Sequence, residues 1–222
     1  MSEVTVTVRG EHEARVAPER ATIRVSVRAE GPERAAVVDR VMRLTEPVRD
    51  SIVARADTGA VVDWTSKRLS VRAERPWNNE GKRLAPVYYA SIDLTATFAE
   101  ASELSIWVSD VSPWDGVEVG WVDWHLTPET TSRIEREVAG EAVGVAVARA
   151  QAYATALGLG EVVPVEIADV GLIAPNPAQP FAAMAKTRGA ALASADSGSA
   201  SMEYEPDEIV ISATVEARFL AR

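Results

Sequence analysis

The segment VTVTVRGEHEARVAPERATIRVSVRAEG, residues 4–31, alternates apolar and polar side chains on both sides of a proline. Val4, Val6 and Val8 share one face, and the same even phase continues through Gly10, His12, Ala14 and Val16. Past Pro18 the phase changes, with Ala21, Ile23, Val25, Val27 and Ala29 inward and Thr22, Arg24, Ser26 and Arg28 outward. Successive side chains of a strand leave opposite faces, and proline carries no N–H for a ladder. The stretch therefore predicts two long half-buried strands, joined as a hairpin at VAPER, with His12 partly buried near a bend.

Outward from this segment the period changes repeatedly. Residues 32–56 place Val37, Val41, Leu44, Val48 and Ile52 at helical steps of three and four, with Pro47 as an expected kink. Residues 61–75 and 86–99 return to period two, joined by the polar hairpin loop PWNNEGKRLAP. A short helix over 100–111 carries Leu104, Trp107, Val108 and Val111. The strand after it, VEVGWVDWHLT, is apolar at odd positions up to Trp121 and at even positions from Val122, which predicts a bulge near Trp121.

Thr127, Pro128 and Glu129 form a helix start: a hydroxyl cap, proline at the first helical position and an acid in the first turn. That helix is alanine-rich and stops at Gly158. Strands follow near 161–170 and 208–220. The resulting order, ββαββαβαββ, predicts an α+β fold in which helices pack on one face of a mainly antiparallel sheet built of hairpins. Residues 1–222 read as one domain, with a flexible Ala/Ser/Pro-rich loop over 174–206.

With 33 acidic against 23 basic residues the net charge is −10, which repels polyanions and makes nucleic acid a poor partner. There is no cysteine, so disulfides, thiolate nucleophiles and cysteine metal sites are excluded together. The chain opens Met-Ser-Glu without a basic, then apolar, leader pattern, and no run approaches the ~20 apolar residues of a spanning helix. The expectation is a cytoplasmic protein that does not insert into a membrane, or a periplasmic or envelope-associated one had a leader been trimmed.

His12 and His125 are the only histidines, leaving few routes to a histidine metal site or triad. Asp123 and His125, two apart on a strand, project from one face and define an acid-oriented base. They and His12 form the one candidate site for a small-ligand binder or hydrolase-like enzyme, although no nucleophile motif accompanies them. Glu11, Glu13, Glu19, Asp93 and Glu100 match no ligand spacing and read as a solvated face interleaved with arginines. Trp77, in a hairpin loop, and Phe181 and Met184, in the long loop, are the candidate interface residues. No cofactor is implied.

The order of several short motifs carries a family resemblance. Gly10, Val16, Pro18, Glu19 and Ala21 follow the Gly-x-Gly-like bend and Val-x-Pro-Asp/Glu-x-Ala pattern that opens SIMPL-domain proteins, with His12 in place of the second glycine. PVYYASIDLTATF resembles the family's Gly-Tyr-x-Ala strand with Val87 for the glycine and Tyr88 and Ala90 kept. ARAQAYATALGL is similar to its alanine-rich helix before Leu-Gly, and EPDEIVISATVEARF to its closing strand. The resemblance implies an α+β fold and bacterial relatives that are mostly periplasmic or envelope-associated, some linked to oxidative-stress protection and some immunogenic. A mammalian relative is a kinase-associated signalling protein. It supplies no catalytic residues. The expected function is a non-catalytic interaction or assembly protein, homo-oligomeric or bound to a protein partner.

Overall fold

The computed structural model describes residues 3–173 and 204–222. Its elements are β1 (Val4–Val16), β2 (Arg20–Gly31), α1 (Arg34–Asp57), β3 (Val61–Ser66), β4 (Ser70–Glu74), β5 (Val87–Phe98), α2 (Ala101–Val111), β6 (Val117–His125), α3 (Pro128–Ala156), β7 (Val162–Asp169) and β8 (Ile209–Ala221). All strand pairings are antiparallel and the fold is α+β. The described residues divide into two compact units: 17–127 with 204–207, and 3–16 with 128–173 and 208–222.

The first of these is a sheet in the order β3-β5-β2-β6, with β4 also on β5. Ala21, Ile23, Val25 and Val27 of β2 and Ala90, Leu94, Ala96 and Phe98 of β5 are buried against Val37, Val41, Val48 and Ile52 of α1 and Leu104, Trp107, Val108 and Val111 of α2. Both helices thus cover the same face, as the alternation and helical stripes require. α1 continues through Pro47. The predicted single strand over 61–75 is two: Ser66 pairs with Leu94 and Ser70 with Ser91, so four residues face three and the ladder breaks at 67–69.

The bulge lies where the phase change puts it. Ile23 pairs with Val122 and Val25 with Val119, leaving Gly120 and Trp121 opposite Arg24 alone. A Cβ on Gly120 would come within 2.8 Å of the Arg24 carbonyl oxygen, so the bulge needs glycine there. Val117 and Val119 before it, and Val122 and Trp124 after it, all reach the core, while Trp121 is turned out to solvent.

The other unit is the sheet β1-β8-β7 with α3 across it. α3 buries Ile134, Val138, Ala142, Ala146, Ala150 and Ala154. The last four of these, at four-residue steps, form an alanine ridge against Val6, Val8, Val215, Ala217 and Phe219. Its end is a Schellman motif: Gly158 has φ +75°, its N–H bonds to the Thr155 carbonyl and the Leu159 N–H to that of Ala154.

Two expectations from residues 4–31 are corrected here. β1 and β2 form no hairpin: β1 pairs along its whole length with β8, from Val4 with Ala221 to Val16 with Ile209, and β2 pairs with β5 and β6. Alternation fixes which side chains share a face but not which strand lies alongside. Nor is there a bend at Gly10, where the ladder is continuous; glycine is required there because a Cβ would overlap the Ala142 carbonyl oxygen and lie 2.7 Å from the Ala146 nitrogen.

Candidate functional site

The sequence-predicted site residues fall in two units: His12 in that of the sheet β1-β8-β7, Asp123 and His125 in the other. His12 stands opposite Ala213 in the β1–β8 ladder and is exposed, which corrects its expected burial. The apolar cluster under α3 takes in Val4, Val6 and Val8 but not the end of the strand beyond Gly10. His125 is half-buried at the end of β6, and its Nδ1 lies 3.3 Å from the backbone oxygen of Asp123. The exposed Asp123 carboxylate is not the group that this imidazole meets.

The expected solvated acidic face resolves into distinct roles. Glu13 pairs with Arg15 at 3.2 Å on the outer face of β1, and Asp93 accepts a hydrogen bond from Ser26 at 2.6 Å across β2 and β5. Glu19 is different: its Oε2 accepts from both the backbone N–H and the hydroxyl of Thr127, at 2.9 and 2.8 Å. Among the described residues no cluster of three or more His, Asp or Glu side chains is arranged to hold a metal ion.

Of the interface candidates, Trp77 is 60% exposed, bridges to Arg83 across the hairpin loop and carries that guanidinium 4.9 Å above its ring. Asn78 Oδ1 accepts from the N–H groups of Glu80 and Lys82 and closes the turn. Phe181 and Met184 lie outside the described residues, as does the loop as far as 203. The stretch is described again from Tyr204, whose ring meets Trp124 edge-on at 6.0 Å and whose N–H bonds to Ser105 Oγ at 3.2 Å.

The feature that reasoning from the sequence missed is the free edge of β1. Among the described residues this 13-residue strand, at the end of the order β1-β8-β7, is paired on one side only. At Arg9 the edge is closed by Arg149 Nη1, which donates to the Arg9 carbonyl at 2.7 Å. Before Arg9, Val4–Thr7 instead adjoin a groove of about 420 Å³ completed by Tyr153, Ala156 and Leu157 of α3. Tyr153 and Leu157 are 51% and 61% exposed. Backbone hydrogen-bonding groups and an apolar trough therefore lie side by side. Their residues are about 150 positions apart in sequence, and only the pairing of β1 with β8 under α3 juxtaposes them.

A two-unit α+β protein with antiparallel sheets, no metal cluster among its described residues and an open strand edge is thus the class defined by the geometry. The family model for SIMPL, a protein of unknown function (DUF541), matches residues 6–219, and the chain belongs to the SIMPL family. No curated protein matches it.

Proposed function

We propose that this SIMPL-family chain is a non-catalytic assembly module that associates with further copies of itself through the β1 edge. The observation that carries this reading is the Val4–Thr7 edge beside the exposed Tyr153 and Leu157. An unpaired edge is a template for another strand, and natural sheets usually blunt it with charge, proline or cover. Here Arg149 blunts the strand at Arg9, while Val4, Thr5, Val6 and Thr7 carry neither charge nor proline. Strand addition supplies main-chain bonds and the trough supplies side-chain selectivity. The charge of −10 opposes indiscriminate association, so a specific patch is needed to overcome it.

Sedimentation of the full chain tests this. The wild type is expected to form a concentration-dependent oligomer, and Y153E/L157E, which alters two exposed side chains, to shift it to monomer without loss of fold. A wild type that stays monomeric at millimolar concentration overturns the reading. A place in envelope or oxidative-stress physiology rests on the resemblance to bacterial relatives alone; fractionation and peroxide survival of a deletion strain test it.

A further inference from the structure

The unit built on the five-stranded sheet carries a polar cleft lined from β2, β4, β5, β6 and α1. One row of side chains crosses three strands in register: Arg72 of β4 opposite Tyr89 of β5, and Tyr89 opposite Glu30 of β2. In the next row Ser91 of β5 faces Arg28 of β2. These residues, with Arg40 of α1, line a cleft of about 470 Å³, within the range of small-molecule sites.

Three guanidinium groups therefore border one cavity, and each makes one ion pair. Arg28 Nη1 is 2.6 Å from Glu118, Arg40 Nη2 is 2.8 Å from Asp115, and Arg72 Nε is 2.9 Å from Glu74. The Arg72 guanidinium carbon also lies over the Tyr89 ring, 4.9 Å from its centroid. A guanidinium has five N–H donors in a planar fork, so most donors of all three have no protein acceptor among the described residues. The carboxylates they meet are 55–70% exposed. Such exposed pairs contribute little to stability, and an entering acceptor can displace or share them.

We infer that this cleft binds a small oxyanion, a carboxylate or a phosphate monoester, by bidentate contacts from Arg28 and Arg72. The planar fork is the side chain that matches either head group, and Ser91 and Tyr89, on the strand between β4 and β2, also line the cleft. Glu30, Asp115 and Glu118 also line the cleft and balance its three positive charges. Capture consequently rests on contact hydrogen bonds rather than on a long-range field, and Glu118 competes with the ligand for Arg28. This assignment is independent of self-association at β1, since it uses other residues.

Amide and arginine Nε–H NMR signals of the full chain, followed during separate titrations with inorganic phosphate and with succinate, test the assignment. Saturable shifts are expected at Arg28, Arg72, Tyr89 and Ser91 with at least one probe, and which probe saturates identifies the head group. R28Q and R72Q are each expected to weaken that binding about ten-fold, and E118Q to tighten it about three-fold by removing the competitor. R133Q, on α3 and paired with Glu137, leaves it unchanged; far-UV circular dichroism of each variant verifies folding. Absence of saturable shifts with both probes, equal shifts at Arg133, or weakening by E118Q overturns the inference.

Discussion

Gly10 of β1 and Ala142 of α3 meet backbone to backbone: a Cβ on Gly10 would clash with the Ala142 carbonyl oxygen and approach the Ala146 Cβ to 2.9 Å. A strand without a side chain faces a helix whose ridge is alanine, and the close approach depends on both. Because the obstructing atoms belong to helical backbone, no rotamer change can relieve a Gly10→Ala substitution. Overpacking of a filled core costs about 3 kcal/mol where the surroundings cannot yield. G10A is expected to lower the unfolding free energy of the β1-β8-β7 unit by that amount, read from urea denaturation, and a value within error of wild type would refute the close approach.

Trp107 anchors the other unit. It is fully buried, its ring centroid lies 5.3 Å from that of Phe98, and its Nε1–H bonds to Ser51 Oγ at 3.0 Å. Trp107→Ala opens a cavity and is expected to cost about 4 kcal/mol. Trp107→Phe removes the indole donor but leaves Ser51 bonded to the Val48 carbonyl, so no buried hydroxyl is orphaned and the loss is smaller. Paired denaturation curves for W107A and W107F measure the difference.

Glu216 gives the β1-β8-β7 unit an acid-side limit. The Arg9 guanidinium, 3.1 Å away, holds its carboxyl below the ordinary value of 4.5, aided by the Gly171 N–H at 3.1 Å. A lowered folded pKa adds stability that is present above the unfolded value and lost as pH falls through the folded one. Arg9 is half-exposed, so solvent screens the pair and the contribution is modest. E216Q is expected to be less stable than wild type at neutral pH, with the two urea midpoints converging in strong acid. A gap that persists in strong acid would assign the loss to packing instead.

Residues 4–31 illustrate how much of this was legible. The limits of β1 and β2, the buried faces of β2 and α1, the Trp121 bulge and the start and stop of α3 all follow from local period and turn chemistry, because each depends on neighbours within a few positions. What failed was non-local. The partner of β1 is β8, about 200 positions away, and alternation puts His12 on a buried face because it continues whether or not a helix covers it. The β1 edge and the arginine cleft were illegible for the same reason: Val6 with Leu157, and Arg28 with Arg72, meet only through strand pairing and helix packing.

Tyr204 sets the corresponding limit in alkali. Its ring lies edge-on to Trp124 and packs on the core of the five-stranded sheet, and burial raises its phenol above the ordinary value of 10.0. A raised folded pKa means that the fold resists the charged form. Stability is complete below the unfolded value and is lost as pH rises through it toward the folded one. The chain is held here by the ring and by the Tyr204 N–H bond to Ser105, neither of which needs the hydroxyl. Tyr204→Phe is therefore expected to match wild type at neutral pH and to exceed it above about pH 10, where unfolded tyrosine ionises. Tyr204→Ala uncovers Trp124 and is expected to be weaker at every pH. Trp fluorescence during urea titration at neutral and alkaline pH checks all three curves, and an alkaline loss in Y204F as steep as in wild type would remove Tyr204 as its source.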